Sequence, residues 1–523
     1  MFLDIWEPHQ TSGFLTAFLC WIYQAFTGTA EYLVLYLRIC GALIQAAVSI
    51  FLYRTLAGRF SRYGALTAAF FFYNTLPKQI QTPEFSNMLV WFSVLAMLCF
   101  VRACDSARSR LWLAAAGICL CGLVLSYPSC ILAVPVYFFC LKKTRTRSFW
   151  RDFGIVLSVC VTLGVGYLFF FLSHMTVPQF LSGLRQMMTD SSHSESLSQR
   201  LASYGSELYS FLLPLCAVLL LAVFFMIVYR LAVLKGGGRE FSGHLLLCCI
   251  LCGSFLVQLS IWLLGLNGAF HFPLLHFYLL YGAGILVYRK GKEADRERLR
   301  PLFWFGTACG GFVWFTGFLV TNTTISVTGP YLMSGLIAAV VLLAEEAQAY
   351  APAHGKGVLR YRLPAVLAAI GLLGITLFSK GFMVCENNGR RSDFLFVKQK
   401  ALSGPARNIY CFYMDGYRYN SFAELMEGCC TPEDSLLYVG RHNLYYLLAD
   451  SRIAVHSTIS TPAFDGRLPE YWSCYPEHYP TLVVIDLSYE RRDEIAYVAD
   501  MLGLSEPFAE NSEFAVYRCG PLQ

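Results

Sequence analysis

Charged side chains are scarce in this chain. Asp, Glu, Lys and Arg make up 14% of its 523 residues, against about 25% in a soluble globular protein. With 56% hydrophobic residues and a mean hydropathy of +0.51, that scarcity excludes a soluble chain and predicts an integral membrane protein. Neither sign dominates: 40 basic against 34 acidic residues leave +6, too little to point to a nucleic-acid partner. Long internal repeats and low-complexity segments are absent, so no repeat array is expected. The C-terminal tail lacks a glycine-rich phosphate loop and a nucleophile elbow, which argues against independent catalysis there. Its six cysteines (Cys385, Cys411, Cys429, Cys430, Cys474 and Cys519) include an adjacent pair and no CxxC, a spacing that fits no metal site. Disulfides and free thiols both stay open for them. Most of the other cysteines lie in apolar runs, as small buried hydrophobes do.

Apolar runs are what the chain has instead. About twelve are of spanning length or near it, covering roughly 31–53, 64–80, 84–101, 110–125, 127–141, 153–173, 208–229, 244–265, 270–288, 302–321, 328–346 and 363–380. The segment 12–28 (SGFLTAFLCWIYQAFTG) is shorter and bounded by glycine, which predicts a helix lying at the interface. The expected fold is therefore a polytopic α-helical membrane protein with about twelve transmembrane helices, an interfacial helix and a small C-terminal α/β domain.

Loop charge sets the expected orientation. One set of loops is basic, with Arg54, Arg59 and Arg62, then Arg102, Arg108 and Arg110, then Lys142 through Arg151, and later Arg289 through Arg300. The alternate loops 126–129, 266–272 and 321–329 carry no Lys or Arg. The positive-inside rule puts the basic set in the cytoplasm, so residues 1–30 and the tail from 381 both fall outside. An outer N-terminus needs something to carry it across, and a first helix preceding Met1 is expected. The outer loop 174–206 contains Gln179-Phe180-Leu181-Ser182-Gly183-Leu184-Arg185, which predicts a second interfacial amphipathic helix.

From about 381 the pattern changes. Short strands are predicted at 408–413, 436–439, 453–456, 482–486 and 514–517, with helices at 420–427, 442–450 and 491–503. The division is 1–380, a membrane domain whose first 30 residues form an outer loop and interfacial helix, and 381–523, an extracytoplasmic α/β domain.

Polar groups concentrate at outer ends. The opening run Leu3-Asp4-Ile5-Trp6-Glu7-Pro8-His9-Gln10 brings two carboxylates and an imidazole together, a set suited to general-base work or to holding a divalent metal. An ordinary polar terminus is the plainer reading, although Trp6 and Pro8 would be wasted on one. Thr82-Pro83-Glu84 places a carboxylate at the mouth of a span, where it serves equally as a helix cap. Lys78 and Arg185 break the charge pattern on the outer side and are candidates for a lipid phosphate, as snorkelling cations also would be. Arg38 lies within a span. His271 and His276, with Tyr278 and Tyr281, line a cavity or simply pack among aromatics.

These stretches resemble GT-C glycosyltransferases, in particular the bacterial branch similar to protein O-mannosyltransferases and the aminoarabinose transferases of lipid A (glycosyltransferase 39/83-like). The counterparts of that branch's motifs are Asp4 and Glu7, His9-Gln10-Thr11-Ser12-Gly13, Ala25-Phe26-Thr27-Gly28, Leu37-Arg38 and Glu84, with Tyr127-Pro128 in place of its Lys/Arg-Pro turn. The resemblance covers roughly residues 1–175 by local pattern and the rest by architecture. It implies catalytic Asp4, Glu7 and Glu84, and substrate-binding His9, Arg38, Lys78, Arg185 and His271. It also implies a polyprenyl-phosphate-linked sugar donor in the outer leaflet and an extracytoplasmic acceptor. No cofactor is certain, and a divalent metal is compatible with the carboxylates.

Other classes make different demands. A transporter or lipid flippase would place charges deep in several spans and repeat its halves. An undecaprenyl-linked polymerase or ligase would carry its large outer loop between spans. A non-catalytic assembly protein of the cell envelope would need no acidic first loop.

Overall fold

A computed structural model describes residues 5–6, 10–75, 77, 81–188, 197–232, 243–264, 275–320, 325–350, 358–385, 398–449, 451–458 and 467–520. In chain order the helices are α1 Gly13–Thr27, α2 Leu33–Ala57, α3 Arg62–Asn74, α4 Phe85–Asp105, α5 Ser109–Ser126, α6 Val134–Thr144, α7 Phe149–Leu172 and α8 Val177–Met188. They continue with α9 Leu197–Ala232, α10 Gly243–Leu263, α11 Leu275–Lys290, α12 Glu293–Leu302, α13 Cys309–Val320, α14 Ile325–Thr328, α15 Met333–Tyr350 and α16 Val358–Cys385. The chain divides into two compact units. One combines Met1–Cys40, Leu168–Ser194 and Cys385–Gln523, and the other Gly41–Tyr167 and Glu195–Val384.

Each of the twelve predicted apolar runs contains a helix among the described residues. Among the described residues seven helices are long and apolar enough to cross a membrane, including α2, α4, α5 and α9. Some of the other runs form shorter elements, such as α3 with 13 residues and α6 with 11. Local geometry shortens two of them: a 3-10 turn over Pro128–Ala133 precedes α6, and a π-helix over Phe303–Ala308 precedes α13. The segment 12–28 forms α1, too short to span, and ends where Gly28 takes the left-handed φ of 66° that a glycine reaches without strain.

In the second unit burial does not follow hydropathy, since the less apolar α4 is far more buried than the more apolar α7 and α9. α4 is apolar on every face and 78% of its apolar window is buried, whereas the corresponding share is 11% for α7 and 17% for α9. Phe100 on α4 stacks on Phe305 at 4.5 Å. Leu220 and Leu231 on α9 stay exposed, as lipid-facing residues do. At one end Ser61 caps α3 by accepting from the Gly64 amide at 3.2 Å, Gln348 donates to the Ser61 hydroxyl at 2.6 Å, and Arg298 pairs with Glu345.

The first unit is built on a sheet. Its strands are β3 Ser435–Val439, β4 Arg452–Ile453, β5 Leu482–Asp486, β6 Ala509–Glu510 and β7 Phe514–Arg518, after a hairpin of β1 Lys398–Lys400 and β2 Tyr410–Phe412. The order is β4-β3-β5-β7-β6, with β3 parallel to β4 and β5, and β7 antiparallel to β5 and β6. Helices α17 Tyr413–Met426, α18 Tyr445–Leu448, α19 Arg467–Cys474 and α20 Arg492–Leu502 accompany it. β3 and β5 are buried along their whole length, which is why both read as unbroken hydrophobic runs. The described tail cysteines, Cys411, Cys429, Cys430, Cys474 and Cys519, are free thiols.

Asp434 fastens the amino ends of these strands. Its carboxylate accepts from the Thr431 amide and hydroxyl at 2.9 Å, from the Thr481 hydroxyl at 2.9 Å and from Arg518 at 3.2 Å. Burial alone would raise its pKa, but these donors together hold it below the usual carboxylate value. A depressed folded pKa contributes stability that is fully present above the unfolded value of about 3.9. That contribution is lost as pH falls through the folded value. Protection of the β3 and β5 amides, corrected for intrinsic exchange, is therefore expected to fall as pH drops below about 4, and Asp434→Asn to flatten that dependence. An unchanged acid dependence in the variant would refute the assignment.

Candidate functional site

Glu84 is placed by the turn before it. Thr82 and Pro83 form a bend in which the Glu84 amide donates to the Thr82 carbonyl at 2.8 Å, and Glu84 takes the N-cap of α4 at φ −104° and ψ 166°. Its carboxylate accepts from the Asn87 amide at 3.0 Å, and the Asn87 side chain donates to the Thr82 carbonyl at 2.8 Å. The loop presses on α2: a Cβ on Gly41 would come within 2.3 Å of the Gln81 carbonyl oxygen. One turn further along α2, Gln45 donates to the Phe72 carbonyl at 2.6 Å and accepts from the Trp91 indole.

Aromatic rings gather near this half-buried carboxylate. Tyr331, in the 3-10 turn before α15, lies within electrostatic reach of Glu84 and beside Ser86. Its ring stands 5.9 Å from that of Tyr127, which in turn is 6.1 Å from Phe85. Glu84 and Tyr127, matched separately to family motifs in the sequence, are thus brought to one place. The dipole of α4 favours negative charge at this position.

Lys380 was missed by the sequence reading. At the end of α16 its ammonium donates to Asn74 Oδ1 at 3.3 Å and lies 4.8 Å from the Tyr73 ring centroid. The signal was available, since Phe378-Ser379-Lys380-Gly381 puts a lysine at the end of an apolar run, against the expected charge pattern.

The first unit positions Arg38. The start of α2 is held by the loop before β2, with Val34 donating to the Pro405 carbonyl at 3.0 Å and Arg407 paired with Glu31 at 2.7 Å. One turn later Arg38 reaches the neighbourhood of the Cys411 thiol. Its buried Nε has no hydrogen-bond partner among the described residues, an arrangement that costs free energy until an acceptor arrives.

Trp6 is held in the first unit. It is 2% exposed, its amide donates to the His456 carbonyl at 2.7 Å, and its ring meets Tyr471 edge-on at 5.1 Å. Beside it α8 forms, as predicted for 179–185. Gln179 donates to the Cys474 carbonyl at 3.0 Å and Gln186 to Glu470 at 2.6 Å, while Val177, Leu181 and Leu184 stay exposed. Arg185 is on the exposed side of this helix. Asp4, Glu7, His9, Lys78 and His271 lie outside the described residues. His276 is a packing residue, 1% exposed and in edge contact with Phe277 at 4.7 Å. Tyr278 and Tyr281 donate to the carbonyls of Ile325 and Thr307. Among the described residues no three His, Cys, Asp or Glu side chains converge as metal ligands do.

No family model and no curated protein matches this chain. Solved structures show distant likeness. The archaeal oligosaccharyltransferase AglB from Archaeoglobus fulgidus, with an inhibitory peptide and a dolichol-phosphate, is similar at TM-score 0.42 and 13% identity, over 89% of this chain and 60% of that one. A second AglB structure from the same organism, with Zn and sulfate, gives 0.47 and 13%, over 95% and 62%. ArnT from Cupriavidus metallidurans, bound to undecaprenyl phosphate, gives 0.44 and 13%, over 93% and 85%. The chain thus spans about three fifths of AglB, and at these scores no residue, ligand or activity is carried over from any of the three.

Proposed function

We propose that this chain is a membrane glycosyltransferase that moves a sugar from a polyprenyl-phosphate-linked donor to an extracytoplasmic acceptor. The observation that carries the reading is Glu84, a half-buried carboxylate fixed at the mouth of α4 beside Tyr331 and Ser86. A carboxylate so placed suits a general base for an acceptor hydroxyl, a role that contributes about 10²–10⁴-fold. The sequence resemblance of residues 1–175 supports it, with Asp4 and Glu7 as further acidic candidates and His9, Lys78 and His271 as substrate contacts.

Arg38 is assigned separately to the donor phosphate, on the ground of its unsatisfied buried Nε. Arg185, exposed on an amphipathic helix, suits a lipid headgroup. The domain from 381 onward is proposed to be extracytoplasmic and to bind the acceptor. A reporter fused after Gln523 is expected to read out outside the cytoplasm. A cytoplasmic signal would overturn the topology and the reaction with it.

A further inference from the structure

The second unit contains a cavity of about 650 Å³ between α3, α10, α11, α15 and α16. Small residues leave the space open: Gly64 on α3, Ala344 and Ala347 on α15, and Ala368 and Ala369 on α16 all line it. Its deep end is hydrocarbon, closed by Phe255, Leu280 and Leu372. Polar groups occur mainly at the other end, where Ser61 and Gln348 line it and bond to each other. Protein interiors hold few voids larger than a water molecule, and a site without polar partners does not hold water. Its interior therefore suits an apolar occupant.

The rim says what. Tyr63 lines the cavity and is 79% exposed, and Val366 across from it on α16 is 50% exposed, so the space opens sideways between helices of a membrane unit. A tyrosine at such a rim marks the headgroup level. Between Ser61 and Tyr63 stands Arg62, an exposed guanidinium at the first position of α3 with no ion pair among the described residues. Arg59 and Arg298 stand at the same end, but their charge is already balanced by Asp105 and Glu345. An exposed cation in sequence between two lining residues, Ser61 and Tyr63, and a hydrocarbon interior complement an anionic amphiphile.

We propose that this cavity binds one anionic phospholipid from the leaflet next to the basic loops, with an acyl chain inside and its phosphate at Arg62. The site is distinct from the one proposed for sugar transfer. Asn74 and Lys380, one loop before Glu84, lie at the opposite end of α3, about 18 Å along the helix axis.

Native mass spectrometry of the detergent-purified full chain tests this, with phosphatidylglycerol, phosphatidylcholine and undecaprenyl phosphate as competing probes. One phosphatidylglycerol per chain is expected to survive detergent that strips phosphatidylcholine. Arg62→Gln, a surface change that leaves packing alone, is expected to weaken its retention at least tenfold, and Ala369→Phe to abolish it by filling the cavity. Equal retention of both phospholipids, or retention unchanged in Arg62→Gln, overturns the proposal. Preferential uptake of undecaprenyl phosphate also overturns it. Because Glu84→Gln leaves this cavity untouched, that variant should retain phosphatidylglycerol even where transfer is lost, which separates the two readings.

Discussion

Glu84→Gln is expected to lower sugar transfer by at least 100-fold in a chain that still folds. The substitution separates two jobs that the carboxylate performs at once. As the N-cap of α4, Glu84 accepts the Asn87 amide at 3.0 Å, and the amide oxygen of glutamine can accept the same bond. As a base it must take a proton, which an amide cannot do, so only the chemical contribution of about 10²–10⁴-fold is removed. Glu84→Ala removes both, and should add a loss of about 1 kcal/mol at the start of α4. Transfer from a polyprenyl-phosphate sugar, followed in proteoliposomes beside thermal unfolding of the same preparations, distinguishes the roles. A glutamine variant with normal transfer would reduce Glu84 to a cap and sink the site assignment.

How far the sequence carried depended on whether neighbours or distant contacts decide an element. The apolar runs were legible because a helix in lipid satisfies its own backbone, so composition alone specifies it. Their status as spans was less so: where α3 ends at Asn74 and where the 3-10 turn after Tyr127 begins are set by packing and turn geometry. In the tail, β3 and β5 announced themselves as buried hydrophobic runs. β1, which reads Lys398-Gln399-Lys400, exists because it pairs with β2, and β6 because it pairs with β7. Nothing in either sequence says so. α19 was not predicted; it runs Arg467–Cys474 with Pro469 in its first turn, where proline is tolerated. Glu84 was legible as a cap, and Tyr127 as an odd substitution in a family turn. That Tyr331 joins them is a long-range contact that no local pattern records.

Trp6→Ala is expected to release the opening run from the sheet-containing unit. The indole is 2% exposed among Tyr471, Tyr475 and His456, and Gly183 on α8 lies against it, with a Cβ there reaching 3.4 Å from the ring. Truncating a buried tryptophan costs about 3–5 kcal/mol, and the surviving backbone bond from residue 6 to the His456 carbonyl is too weak to compensate. The loss should be local, because Phe422, Tyr438, Tyr445 and Phe514 pack the sheet with one another rather than with Trp6. Hydrogen exchange is therefore expected to rise over Gln10–Phe14 and α8 while β3 and β5 keep their protection. If Asp4, Glu7 and His9 act where the opening run is fastened, transfer falls at least tenfold with it, and Trp6→Phe restores part of both. Unchanged exchange over Gln10–Phe14 would show that the run is held elsewhere. Freed exchange with normal transfer would remove Asp4 and Glu7 from the catalytic assignment and leave Glu84 as its acid.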